Sequence, residues 1–238
     1  MAQAHKISPL EAFDLAHRLH RPHARPADRG ALPRTAPGLP PDQYRRRQPN
    51  PGRHPPRPAL SLGDAARLFA YYQAGFDAGA DAVLNTSSSV GEVVDLARPL
   101  FDLPILKIDR PMAEMAVRTA KSIGVLATLP TTLAPTVRLI RSEAEKAGKE
   151  VQIVEGLAAG AFEALMAGHA ERHDILLRET AQRTAEKVDL IVLAQGSMAH
   201  MERPLADLTG RTVLSSPRLG VLAVKKLLEA KGGEDHHH

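Results

Sequence analysis

IGVLATLPTTLAPTVRLI, residues 123–140, decides the reading of the fold. Its first five residues, Ile123–Ala127, form a short apolar run that suits a strand covered on both faces. A polar turn follows, Thr128–Thr132, with Pro130 inside it. Leu133, Val137, Ile140, Ala144 and Ala147 then recur three or four residues apart, which predicts one apolar stripe on a helix over Thr132–Gly148. Strand, polar turn and amphipathic helix together make the unit of a parallel sheet, because parallel neighbours need a long crossover.

The same unit repeats outward in both directions. Toward the N-terminus the pattern predicts helices at Leu62–Gly79, Val90–Phe101 and Pro111–Lys121, and strands at Asp81–Thr86 and Pro104–Ile108. The inward faces expected for the first two are Leu62, Ala65, Ala66, Phe69 and Tyr72 or Gln73, then Val90, Val93, Val94, Ala97 and Leu100. Toward the C-terminus it predicts strands at Val151–Val154, Asp189–Ala194 and Arg211–Ser215, and helices at Ala161–Ala167, Arg172–Lys187 and Pro217–Ala230. The alternation implies an α/β protein with a parallel sheet. Residues 1–60 form a separate zone, with a short helix expected over Pro9–His20, and 231–238 a tail ending in His236–His238.

The chain has 238 residues and a net charge of +4, but the charge is not evenly spread. Residues 21–60 hold nine arginines against two acids, Asp28 and Asp42, a balance of +7. The other 198 residues sum to −3. Eleven of the 19 prolines also fall in 21–60, which has no Val, Ile, Phe or Met. Such a segment buries too little to offset its ordering entropy, so it is expected to be poorly ordered. Arg45–Arg47 would favour a nucleic-acid arm, but Tyr44 is the one aromatic nearby, and lysine is missing from 21–60. The composition also matches a GC-rich gene read out of frame. Nucleic acid is therefore not an expected partner.

Several classes of function are excluded. Cysteine is absent, which removes disulfides, thiolate catalysis and cysteine-held metal. No apolar run reaches the roughly 18 residues of a membrane span, so no membrane is expected as a partner. The first residues lack an apolar core with a cleavage site, and a cytoplasmic protein is expected. There is no GxxxxGK[ST], GxGxxG or GxSxG motif, and no cofactor is expected. His169 and His173 stand four apart without the HExxH order or an evident third ligand, so they are expected to be solvated and no metal site is assigned.

Chemistry in an open parallel sheet belongs at the carboxyl ends of the strands. Four such turns are polar: Asn85-Thr86-Ser87-Ser88-Ser89, Thr128-Leu129-Pro130-Thr131-Thr132, Gln195-Gly196-Ser197 and Ser215-Ser216-Pro217-Arg218. Ser89 and Glu92 fit a capping box, which would satisfy the first helical N–H groups. The same groups would hold a carboxylate or phosphate, and three successive hydroxyls exceed what a cap needs. Arg218 reads equally as a counter-charge for an anion or as a solvated side chain.

On these residues the chain resembles the aspartate/glutamate/hydantoin racemase superfamily. The likeness rests on GADAVLNTSSSVGEV (79–93), IGVLATLPTTLAPTVRLI (123–140), EGLAAGAFEALMAG (155–168), VDLIVLAQGSMA (188–199) and VLSSPRLGV (213–221). It implies two pseudo-symmetric lobes, each with a parallel, flavodoxin-like sheet flanked by helices, and a small-acid site between them. The expected lobes are 61–120 with 212–230, and 121–211. The substrate would be a small carboxylate held by Asn85, Thr86, Ser88, Ser89, Thr128, Thr131, Thr132, Ser197 and Arg218, and a homo-oligomer is left open.

The resemblance implies two cysteines that exchange a proton at the α-carbon. Their places fall at Ser87 and near Gln195, which makes Ser87 and Gln195 the candidate catalytic residues. A thiol with a pKa of about 8.5 can be tuned into a base. A serine hydroxyl needs a base beside it, and a glutamine amide cannot serve as one. The implied activity is an isomerase acting on an amino acid, hydantoin or related acid, impaired at both positions. The alternatives are a non-catalytic carboxylate-binding protein of the same fold, or a relative of the decarboxylases and cis–trans isomerases. An apolar first strand and its helix are also expected before residue 62, where His5-Lys6-Ile7 is the one surviving trace.

Overall fold

A computed structural model describes residues 61–234. The readings for 1–60, including the helix at Pro9–His20, and for His236–His238 lie outside the described residues. The described chain opens with α1 (Leu62–Asp77), β1 (Val83–Asn85), α2 (Gly91–Ala97), β2 (Ile105–Lys107) and α3 (Arg110–Thr119). It continues with β3 (Ser122–Ala127), α4 (Pro130–Lys146), β4 (Gln152–Leu157), α5 (Ala161–Met166) and α6 (Ala170–Ala185). It closes with β5 (Leu190–Leu193), α7 (Glu202–Thr209), β6 (Thr212–Leu214) and α8 (Ser216–Glu234). This is the expected α/β alternation, with parallel sheets flanked by helices. None of the described helices is long and apolar enough to cross a membrane.

Two separate sheets carry the strands. One has two strands, β1 and β2, with Leu84 opposite Leu106. The other has four, in the order β4-β3-β5-β6, and every pair in both is parallel. Residues 212–230 were expected to join the first lobe. Strand β6 instead pairs with β5, Val213 opposite Ile191.

The larger sheet is packed on both faces. Ile123, Val125, Ala127, Val192 and Leu214 meet α3 and α4 through Met112, Val117, Val137 and Ile140. Leu126, Ile191, Leu193 and Val213 meet α6 and α7 on the other side through Leu177, Ala181 and Leu205. Alternation along each strand sends successive side chains to opposite layers. The smaller sheet has a much smaller core, built from Tyr72, Val94, Ala97 and Ile105. Phe101 joins it edge-on to Tyr72, ring centroids 6.2 Å apart.

Local differences from the expected elements have physical causes. Pro99 ends α2 early, and Arg98–Leu100 tightens into a 3-10 turn that leaves Leu100 exposed rather than inward. On α1 Leu62 is exposed, and Tyr72 is the one fully buried side chain. Gly79 stops α1 with a φ of 70°, a left-handed conformation that suits glycine. Helix α8 runs four residues past its expected end, into the predicted tail. Gly220 brings α8 against β2: a Cβ there would lie 2.7 Å from the Ile108 carbonyl oxygen.

Candidate functional site

The ends of β1, β3 and β5 meet at one place. At the end of β1, Asn85 is buried and ties down the turn that follows. Its Nδ2 donates to the Ser87 carbonyl (3.2 Å), and its Oδ1 accepts the Ser87 N–H (3.4 Å). A 3-10 turn, Ser88–Val90, then leads into α2. The Ser87 and Ser89 hydroxyls lie 3.0 Å apart, and Ser88 Oγ donates to the Ala194 carbonyl at the end of β5 (3.3 Å).

Gln195 follows Ala194 and braces β5 against β3. Its Oε1 accepts the Thr128 N–H and its Nε2 donates to Thr128 Oγ1, both at 2.7 Å. Hydrogen bonds therefore link Asn85, Ser87, Ser88, Ser89, Thr128 and Gln195 into one region. They also fix the Gln195 amide by both ends on a buried threonine.

The other predicted residues sit at the same strand ends but outside this set of bonds. Thr86 is half-buried with no side-chain bond to a described residue. Thr131 and Thr132 stand in the first turn of α4, Thr131 exposed and the Thr132 carbonyl accepting from Thr136 (2.9 Å). Ser197 is exposed, and its carbonyl faces His200 Nδ1 at 3.0 Å. Arg218 is exposed in the first turn of α8 and makes no ion pair with a described residue. Buried Ser215 bonds to Glu202.

The capping box expected at Ser89 and Glu92 does not form. The 3-10 turn displaces the helix start, Val90 becomes the N-cap of α2 without a side-chain bond, and Glu92 pairs with Arg138. The box appears on α1 instead, between Ser61 and Asp64. The two histidines expected to be solvated also divide. His169 is exposed, whereas His173 is buried at 2 % exposure.

Two charged residues here went unread in the sequence. Lys107 and Asp109 lie buried at and just past the end of β2, at 8 % and 3 % exposure. Lys107 Nζ reaches Asp95 Oδ2 at 2.7 Å. Burial pushes the Asp109 carboxyl above the usual aspartate range, against the pull of the Ser88 hydroxyl and the Lys107 charge. With Ser88, Asp95 and Arg138 they line a polar cavity of about 220 Å³. The available signal was a lysine and an aspartate in and beside the apolar run PILKI. A larger hollow of about 760 Å³ lies along β2 and α8 and touches none of the strand-end hydroxyls.

The model of the Asp/Glu/hydantoin racemase family matches residues 55–224. The chain belongs to this family. Solved racemases share its fold. Allantoin racemase from Klebsiella pneumoniae superposes with a TM-score of 0.54 at 21% identity, over 71% of this chain and 67% of that one. A glutamate racemase from Bacillus anthracis gives 0.57 at 13% identity, over 74% and 68%. An aspartate racemase homologue from Pyrococcus horikoshii gives 0.52 at 19%, over 71% and 74%. No curated protein matches the chain in sequence.

Proposed function

We propose that this chain binds a small carboxylic acid at the joined strand ends and that proton transfer at the acid's α-carbon is impaired. The substrate class is an amino acid, hydantoin or related acid, as the family implies. The carboxylate would be held by the hydroxyls of the Ser87–Ser89 turn and by its first amides, at Ser88 and Ser89. The Val90, Thr128 and Thr132 N–H groups already have internal acceptors, at 3.4, 2.7 and 3.2 Å. Position 87 is where a proton would be moved.

One observation carries the word impaired. The Ser87 hydroxyl bonds to Ser89, another hydroxyl, and among the described residues it has no base hydrogen-bonded to it to take its proton. Gln195 cannot compensate. An amide is not a base at neutral pH, and both of its polar atoms are committed to Thr128. Gln195 therefore acts as a positioning residue for Thr128 and the β3 turn. The same observation favours the second reading, a carboxylate-binding protein without turnover.

Exchange of the α-hydrogen for deuterium, followed by proton NMR in D₂O over a panel of amino, hydroxy and ureido acids, tests this. The wild-type chain should exchange slowly or not at all. Ser87→Cys should raise the rate, since a thiolate is accessible near neutrality. A thermal shift with the same acids separates the two readings, because binding stabilises whether or not turnover follows. No exchange in either protein together with a ligand-dependent shift leaves the binding reading. No shift and no exchange removes both.

A further inference from the structure

We propose that His173, Asp174 and His200 form a site for one divalent transition-metal ion, with Zn²⁺ the best match to the donors. Among the described residues, these three side chains bring their ligand atoms within 4.8 Å of one another. Both supporting segments are anchored in the core. His173 and Asp174 lie on α6, which Leu177 fixes, and His200 lies in the 3-10 turn Gly196–Met201, which Met198 and Met201 fix.

The hydrogen-bond pattern has room for a cation. Asp174 Oδ1 lies 2.8 Å from His173 Nδ1 and 3.2 Å from His200 Nε2. The other nitrogen of His200, Nδ1, is 3.0 Å from the Ser197 carbonyl oxygen. That oxygen can only accept, so Nδ1 carries the hydrogen. In a neutral ring Nε2 is then a bare lone pair aimed at a carboxylate oxygen. Two acceptors at that distance repel unless a positive charge stands between them.

A metal ion answers this geometry well. Two imidazoles and one carboxylate are a Zn²⁺ donor set, with a fourth position left for water. Zn–N and Zn–O bonds of about 2.0–2.1 Å put tetrahedral ligand atoms roughly 3.3 Å apart. The two spacings to Asp174, 2.8 and 3.2 Å, lie close to this, while the two imidazoles must draw together, and His200, with 54 % of its side chain exposed, is free to move. The two rings are stacked, their planes 23° apart and their centroids 6.1 Å apart. The Ser197 carbonyl on His200 Nδ1 is the outer support that ligating histidines use to fix ring and tautomer. An ion here would tie α6 to the turn that begins at Gln195.

Calorimetric titration of the full chain with ZnCl₂ tests the site. Every protein compared should carry His236→Ala, His237→Ala and His238→Ala, so that imidazoles at the C-terminus do not bind the probe. Against that parent, His200→Ala and Asp174→Ala should each lose one equivalent of Zn²⁺. His169→Ala should keep it, because that exposed histidine belongs to no such cluster among the described residues. His200 is exposed enough that its replacement leaves the fold intact, which far-ultraviolet circular dichroism checks. An unchanged stoichiometry in His200→Ala overturns the proposal, as does a parent that binds no Zn²⁺. The cation between His200 and Asp174 would then be a proton.

Discussion

The smaller sheet has two strands of three residues, and the larger has four strands of up to six. Val125 and Ile191 in the larger are wholly buried, under helices on opposite faces. In the smaller, Val83 and Leu84 are half-buried, and among the described residues four buried side chains form its cluster, with Leu68, Phe69, Val83 and Phe101 packed against them. Yet the hydroxyl-rich turn of the candidate site grows from the smaller sheet, while its braces, Ala194 and Thr128, belong to the larger. The difference teaches a division of labour. The larger sheet supplies stability, and the smaller one presents the site while borrowing order through Ser88 and Gly220.

Ile191→Ala should have the largest effect. The side chain is fully buried between β3 and β6 in the sheet and under α6 and α7, and such truncations cost about 2–5 kcal/mol. Val83→Ala, in the smaller sheet, should cost clearly less by urea denaturation. Hydrogen exchange should show the same inequality: β1 and β2 amides exchange through local opening, and those of β3 and β5 only on global unfolding. Equal costs and equal protection would break the comparison.

Gly220→Ala comes next, because it strikes the join between α8 and β2. Its new methyl would meet the Ile108 carbonyl oxygen at 2.7 Å and Cα at 3.0 Å, and backbone cannot rotate away as a side chain does. Overpacking of this kind costs about 1–3 kcal/mol. Exchange should accelerate in β2 well before it does in β5. Gln195→Leu follows, at about 1–2 kcal/mol, since it leaves the Thr128 N–H without its acceptor. Its mark should be a chemical-shift change at Thr128 and Ala194, with the core of the larger sheet unmoved.

The parts legible in the sequence were those set by local pattern. Ile123–Ala127 and Asp189–Ala194 read as buried strands because continuous apolar runs bounded by polar turns have few other uses. Asn85, the Ser87–Ser89 hydroxyls, Thr128 and Gln195 were legible because they follow such strands. Pairing across the chain was not legible. Nothing local tells β6 to join β5, or Gln195 to spend both polar atoms on Thr128, 67 residues away. Helix α7 escaped because it is only eight residues long, carries Pro204 in its first turn and buries a single side chain, Leu205. His173 and His200 meet only through the packing of α6 on the turn after β5. The Ser89–Glu92 motif misled because a 3-10 turn and Arg138 offered both groups other partners.

The smallest effect should be the pH response of Asp109, which sharpens the comparison at the site itself. Asp109 lies beside the smaller sheet at 3 % exposure, and burial raises its carboxyl despite the Ser88 bond and Lys107. The folded chain therefore keeps this proton to a higher pH than the unfolded chain, whose aspartate releases it near 3.8. Between those two points the native state binds more protons, so stability falls as pH rises and stays lower above the raised value. Asp109→Asn removes the titration at nearly unchanged side-chain volume. Its melting temperature should lack that decline between acid and neutral pH, and at neutrality should equal or exceed that of the wild type. A wild-type profile that rises through this range and a variant that follows it would show that the cavity by Ser88 is open to water. The Ser87–Ser89 turn would then rest on the smaller sheet and the Ser88–Ala194 bond, without the polar backing that Lys107 and Asp109 give it.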